Sequence, residues 1–146
     1  MVIASDKSAR MPPRQGFAEI PHTADWSIRA WAEDLPSLFA EAARGMNTLA
    51  GMTLAPGPRV ARIFECGAED RETLLVAFLS ELLYMQEHDG LGFDIIRVRL
   101  QDAGLKAKLD GAPLESLAKS IKAVTFHNLK IIRTPGGYEA EIVFDV

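Results

Sequence analysis

The sequence predicts a single α+β domain in which two helices pack on a mixed, mostly antiparallel sheet. Two segments, at residues 35–50 and from residue 70 onward, repeat apolar residues at three- and four-residue steps, as amphipathic helices do. The other apolar segments are short, and several alternate apolar with polar residues, as half-buried strands do. Because helices and strands do not alternate strictly along the chain, a parallel α/β sheet is disfavoured.

One domain accounts for the length of the chain. The 146 residues, of which 48% are hydrophobic and 25% charged, suffice for one ordinary core. Residues 1–15 mix small, charged and proline residues without a period. We therefore expect a flexible arm at 1–15 and a folded domain at 16–146.

Local signals delimit the elements. Pro21 ends the first strand because proline has no N–H for a ladder. Asp34 and Asp70 are suited to cap the two helices, and Gly51 is suited to end the first one. We predict strands at 17–20, 26–31, 59–66, 93–100, 104–110, 121–132 (bent near 127–128) and 138–146, with helices at 35–50 and from 70 to about 87–90.

Charge and composition restrict the class of function. The net charge is −4 and the pI about 5.4, which disfavours nucleic-acid binding as the main activity but leaves room for a local basic patch. No apolar segment approaches the roughly 20 residues of a membrane helix, and the first ten residues lack the apolar region that a signal peptide has. Cys66 cannot form an internal disulfide, since it is the only cysteine. We expect a cytoplasmic protein in which Cys66 is a small core residue.

The common catalytic templates do not match. The sequence contains no phosphate-binding loop, no Rossmann glycine pattern, no paired-cysteine zinc signature, no helical His-Glu-x-x-His and no Gly-x-Ser-x-Gly. Since no nucleophile is evident, binding suits this chain better than catalysis.

Carboxylates near strand ends form a candidate metal site. Asp25 precedes a predicted strand, Asp145 is the second-to-last residue, and Val146 carries the terminal carboxylate. Carboxylate oxygens are preferred by hard cations such as calcium and magnesium, and three such groups would repel one another without a cation between them. In the alternative interpretation, Asp25 caps a turn and Asp145 is solvated at a frayed end.

Three further polar residues are candidates for function. Lys122 shares a predicted strand face with apolar residues, which is uncommon, although a snorkelling lysine would also explain it. His127 would lie on the opposite face as a structural or functional histidine. His22 precedes a turn, where its ring could orient that turn or support a metal ligand. His88, beside Glu87 and Asp89, is expected to be solvated.

Four blocks carry a family likeness that covers about residues 17–146. They are HTAD at 22–25, LLVAFLSELLY at 74–84, KAVTFH at 122–127 and VFDV at 143–146. In this order they resemble the motifs of the archease family. The chain departs from the family pattern at Ser80 (usually Asn), Phe126 (usually Tyr) and Val146 (usually Ile), and at Gly111-Ala112, where the family tends to have Gly-Glu.

The resemblance implies an accessory role in RNA ligation. It implies that the chain activates an RtcB-type RNA ligase in tRNA splicing or RNA repair, promoting guanylylation and multiple turnover. It also implies a divalent metal, calcium, held by Asp25, Asp145 and Val146, with Lys122 as a functional candidate beside that site. His127 and His22 join Lys122 as candidates for contact with the partner. Neither stable nucleic-acid binding nor a membrane is implied.

Two alternatives stay open. One is a chaperone-like modulator of nucleic-acid-modifying enzymes such as methylases. The other is a metal-dependent hydrolase whose site comprises Asp25, Asp145 and His127.

Overall fold

The computed structural model describes residues 14–21 and 26–146 of the chain. Its strands are β1 (Gly16–Glu19), β2 (Trp26–Ala32), β3 (Thr53–Leu54), β4 (Val60–Gly67), β5 (Leu91–Gln101), β6 (Gly104–Ser116), β7 (Ala123–Val124), β8 (Ile132–Thr134) and β9 (Gly137–Asp145). Its helices are α1 (Leu35–Leu49) and α2 (Arg71–Tyr84), and a π-helical turn, Met85–Asp89, extends α2.

The strands form two sheets, and every pairing among the described residues is antiparallel. In the five-stranded sheet, β2 lies between β1 and β9, while β7 and β8 pair with different stretches of the far edge of β9. In the four-stranded sheet, β6 is central and pairs with β3, β4 and β5. The α+β class with two helices on antiparallel sheets is thus confirmed, and the strands are divided between two sheets.

Both helices begin where the sequence predicts. The side chains of Asp34 and Asp70 each accept a 2.8 Å hydrogen bond from a backbone N–H three residues later, at Ser37 and Thr73. Gly51, two residues after the last residue of the first helix, has a φ of +64° that glycine adopts without strain. These local signals, rather than long-range contacts, determine where the helices begin and end.

The core lies between the helices and the two sheets. Each helix contacts strands of both sheets, α1 through β2 and β5, and α2 through β4 and β7. Gly45 permits the close approach of α1 to β2, because a Cβ there would lie 2.6 Å from Cδ1 of Ile28. The large side chains buried most completely are Phe39, Phe78, Phe144, Ile28, Leu38, Met46, Leu75, Leu79, Leu105 and Ile142.

A buried polar cluster ties α1 to the strand and the turn beside it. The Asn47 side-chain amide donates a 2.9 Å hydrogen bond to the carbonyl of Phe93, and its oxygen accepts a 3.1 Å bond from Gln86. Because buried polar groups are costly when unpaired, these bonds fix the register of α1 against β5.

The predicted strand at 121–132 is wrong over most of its length. Only Ala123–Val124 and Ile132–Thr134 pair with β9, and an irregular loop joins them. In that loop Asn128 has a φ of 57°, which interrupts an extended strand and which asparagine tolerates. The carboxylate of Glu72 accepts a 2.9 Å hydrogen bond from the N–H of Ile131. A side chain of α2 thus supplies the acceptor that a neighbouring strand would otherwise provide for this backbone group.

The first predicted segment lies mostly outside the described residues. Of the expected arm at 1–15, the structure describes Arg14, which forms an ion pair with Glu33, and Gln15, which donates to Glu41. None of the helices in residues 14–21 and 26–146 is long and apolar enough to cross a membrane.

Candidate metal centre

The candidate site lies where β2 begins and β9 ends. Trp26, the first residue of β2, is opposite Phe144, and Ala123 of β7 is opposite Asp145. The N–H of Lys122 donates a 2.7 Å hydrogen bond to the carbonyl of Asp145. The end of the chain is therefore held between two neighbouring strands.

The side chains at this strand end face solvent. Asp145 is exposed, and Val146 is 37% exposed. Within the described part of the chain, the carboxylate of Asp145 takes part in no ion pair. Its backbone is engaged in the sheet while its oxygens remain accessible, which is the arrangement that a surface cation site requires.

Two of the predicted site residues lie outside the described residues, namely His22 and Asp25. Asp25 directly precedes Trp26 in the sequence, and Trp26 is the strand partner of Phe144. Among residues 14–21 and 26–146 there is no group of three or more His, Cys, Asp or Glu side chains suited to a metal ion. Asp145 supplies carboxylate oxygens, which fit calcium or magnesium by chemistry, and further donors from Asp25 and the Val146 carboxylate stay predictions.

Two lysines flank this strand end. Lys122 is exposed beside Asp145, and the ammonium of Lys119 lies 3.6 Å from the ring centroid of Trp26, a cation–π contact. The backbone N–H of Lys119 donates a 3.0 Å hydrogen bond to the carbonyl of Ala50, the residue that follows α1. This bond attaches the segment around Lys119 to the end of α1. Lys119 is not among the residues that the sequence predicts for this site, since no local pattern indicates that residue 119 reaches residue 26.

His127 follows β7, beyond the residue of β7 that pairs with Asp145. After β7, the N–H and the hydroxyl of Thr125 each donate a 3.0 Å bond to the carbonyl of Val143, and the N–H of His127 donates a 3.2 Å bond to the Thr125 hydroxyl oxygen. The chain thus runs along β9 away from Asp145. Lys122 precedes β7 and His127 follows it, and no contact between His127 and Asp145 is found in residues 14–21 and 26–146, so the hydrolase alternative gains no support from them.

The remaining titratable candidates have local structural explanations. His88 is exposed, stacks on Tyr84 and lies 2.8 Å from an oxygen of Asp89. Cys66 is half-buried against the core, and its pKa is raised first by burial and then by the nearby Glu81 carboxylate. A thiol with a raised pKa is a weak nucleophile at neutral pH, so Cys66 is a packing residue.

Comparison with known proteins identifies the family of the chain. The model of the archease protein family matches residues 17–146. The protein archease of Thermococcus gammatolerans is 34% identical over 134 residues, which are 86% of this chain and 94% of that protein. The protein archease of Methanosarcina barkeri is 34% identical over 143 residues, which are 89% of this chain and 95% of that protein.

Two solved structures share the fold. A solution structure of a Methanobacterium thermoautotrophicum protein has a TM-score of 0.67 and 29% identity, covering 90% of this chain and 99% of that one. The crystal structure of a Thermotoga maritima protein described as an archease, possible chaperone, has a TM-score of 0.63 at 19% identity, covering 94% of this chain and 97% of that one. With the family model matching nearly the whole described domain, the chain belongs to the archease protein family.

Proposed function

We propose that this chain is an accessory protein that activates an RtcB-type RNA ligase by promoting its guanylylation and multiple turnover. The observation that carries the proposal is the position of Asp145, whose backbone is held by β7 while its carboxylate faces solvent. An exposed acidic group on a rigid strand end can reach into the site of another protein, whereas a mobile terminus would first have to be ordered.

The proposed cation site comprises Asp25, Asp145 and the terminal carboxylate of Val146, with calcium as the ion. Oxygen donors of this kind hold hard cations, and a bound ion would offset the repulsion among the carboxylates. The support is that Asp25 is adjacent in sequence to Trp26, which pairs with Phe144 across β2 and β9. Lys122, His127 and His22 are the proposed contacts toward the ligase.

A ligation assay with Asp145→Ala tests this role. The assay contains the cognate ligase, GTP, a divalent metal and RNA with a 3′-phosphate and a 5′-hydroxyl end, with and without this protein. We expect the variant to lose the stimulation of turnover while its melting temperature stays within a few degrees of wild type, because surface substitutions change stability by about 0.5 kcal/mol or less. Asp102→Ala, an exposed carboxylate in the β5–β6 turn, is the matched control and should stimulate fully.

Calcium titration of the isolated protein separates the metal site from the ligase partner. Asp145→Ala should weaken calcium binding, and Asp102→Ala should not. Full stimulation by Asp145→Ala would reject the role of this residue. If Asp145→Ala lost the stimulation of the ligase but kept its calcium affinity, Asp145 would contact the ligase and the proposed metal site would be rejected.

A chaperone-like role toward nucleic-acid-modifying enzymes such as methylases is the second candidate. The Thermotoga relative is described as a possible chaperone, and Phe126 of this chain is 56% exposed beside β7. Exposed apolar side chains are one way to hold unfolded clients. A chaperone would suppress aggregation of an unrelated client even after chelation of divalent ions, whereas a metal-dependent activator would not.

A further inference from the structure

The outer face of the four-stranded sheet carries a cluster of cations. Arg97 and Arg99 of β5 lie beside Lys106 and Lys108 of β6, and we call these four residues the basic face. Neighbouring positions on β6 point the other way and bury their side chains in the core, namely Leu105, Ala107 and Leu109. The two helices pack on that inner side, so Arg97, Arg99 and Lys108 are exposed and Lys106 is half-buried.

Like charges face each other across the ladder. Arg97 is directly opposite Lys108, and Arg99 is directly opposite Lys106. Such pairs destabilise an antiparallel sheet. Among the described residues none of the four forms an ion pair, although Glu65 of β4 is directly opposite Lys106 on the other side of β6. The sheet therefore contains an unfavourable concentration of positive charge in a chain whose net charge is −4.

A cation at the edge of the same sheet is neutralised. Arg59 forms ion pairs with Asp94 and Asp110, and these two carboxylates raise its pKa. Carboxylates thus neutralise Arg59, whereas Glu65 of β4, directly opposite Lys106, forms no ion pair with the basic face in the described structure. This difference favours a role for the basic face outside the folding of the domain itself.

The shape of the face suits an extended polyanion. Two shallow grooves, of about 350 and 220 Å³, run over it, and Arg97 and Lys108 line both. Beside them Ile63 and Ile95 are 60% and 46% exposed. Among the described residues of β4, β5 and β6, this face carries no aromatic side chain for base stacking or for the anchor of a protein interface. Rows of cations without such anchors favour contact with regularly spaced phosphates.

We propose that the basic face binds the phosphate backbone of RNA, independently of base sequence. The choice of RNA over DNA rests on the proposed function in RNA ligation, while the phosphate contact does not. Binding of this kind is local and salt-sensitive, and so differs from the stable nucleic-acid binding that the overall charge disfavours. An acidic protein is the competing occupant.

Fluorescence anisotropy with a labelled 20-nucleotide oligouridine, without ligase and at low salt, tests the proposal. The double variant Arg97→Glu/Lys108→Glu should weaken RNA binding by at least about tenfold and reduce the slope of log K against log salt by roughly 0.7 for each phosphate that the protein no longer neutralises. The matched control Lys130→Glu/Arg133→Glu changes the net charge equally at exposed positions outside this sheet, and should keep affinity within about twofold.

The single variant Arg97→Glu shows whether a loss of RNA binding comes from misfolding. It replaces a like-charge pair with an opposite-charge pair facing Lys108, so it should weaken RNA binding while raising the melting temperature. The absence of RNA binding by the wild type at low salt, or equal losses in the basic-face and control variants, would overturn the proposal. Tighter binding of polyglutamate would favour the acidic protein, and tighter binding of DNA of equal length would overturn the choice of RNA. The RNA-binding assay contains no ligase, so its result does not depend on whether this protein activates a ligase.

Discussion

The backbone N–H of Lys122 donates a 2.7 Å hydrogen bond to the carbonyl oxygen of Asp145. Together with the pairing of Ala123 and Asp145, this bond ties β7 to the end of β9. Chain termini fray unless backbone bonds hold them. Asp145 is therefore positioned by contacts in which its carboxylate takes no part, and the side chain of Lys122 is likewise left exposed beside it.

Lys122→Met should raise the calcium affinity of the candidate metal centre. The substitution keeps the backbone N–H and so preserves the bond to Asp145, while it removes an ammonium that repels a bound cation. Because Lys122 is exposed and adjacent to the site, we expect the calcium affinity to rise by roughly two- to fivefold, with no change in melting temperature. Isothermal titration with calcium measures it, and Lys130→Met, in the loop between β7 and β8, is the control. Reduced affinity would indicate that Lys122 organises the site.

Arg97→Glu should stabilise the fold against urea. The new carboxylate would face Lys108 across the ladder, and exchanging a like-charge for an opposite-charge pair is worth about 0.2–1 kcal/mol. Arg62→Glu is the control, because Arg62 is opposite Leu109 and has no cation to gain as a partner. An increase in the urea midpoint for Arg97→Glu alone would confirm that the basic face is destabilising. Equal midpoints in all three proteins would count against that conclusion.

Asn47→Leu should destabilise the domain by about 2–3 kcal/mol. The change removes the hydrogen bond to the Phe93 carbonyl and leaves the Gln86 amide with only a 3.9 Å contact to the Met52 sulfur, and each buried polar group that loses its partner costs about 1–3 kcal/mol. Urea unfolding followed by circular dichroism measures the loss. The double variant Asn47→Leu/Gln86→Leu should recover part of it, since one orphaned polar group is then removed. A double variant less stable than the sum of the single changes would contradict this account.

The Asp70 cap should make the domain sensitive to acid. Hydrogen bonding to the backbone N–H of Thr73 lowers the pKa of Asp70, so the folded state holds this carboxylate ionised more strongly than the unfolded state does. Its stabilising contribution is present above the unfolded pKa of about 3.9 and is lost as the pH falls through the lower folded value. Asp70→Asn can still cap the helix but does not titrate. Melting temperatures measured between pH 7 and pH 2.5 should therefore be higher for the wild type than for the variant at neutral pH, and the two melting temperatures should converge in acid. A difference in melting temperature that does not change with pH would contradict the role of the Asp70 carboxylate.

Local signals predicted the helices because helix ends depend on nearby residues. Asp34 and Asp70 each bond the N–H three residues ahead, and Gly51 adopts a positive φ, as their positions indicated. The strand predicted across 121–132 was wrong because its backbone partners come from distant parts of the chain, among them Glu72 of α2. Periodicity cannot indicate such partners, since it records only which residues of a segment are apolar.

The α+β class, the two capped helices and the family motifs can be predicted from the amino-acid sequence, because each depends on spacing along one segment or on the order of short blocks. The folded structure was needed to learn that Trp26 lies opposite Phe144, that Lys119 contacts Trp26, and that four cations share one sheet face. Strand register joins residues far apart in sequence, and it is selected by burying one face of each sheet against the helices. That long-range selection places Asp145 at a strand end and leaves the basic face toward solvent.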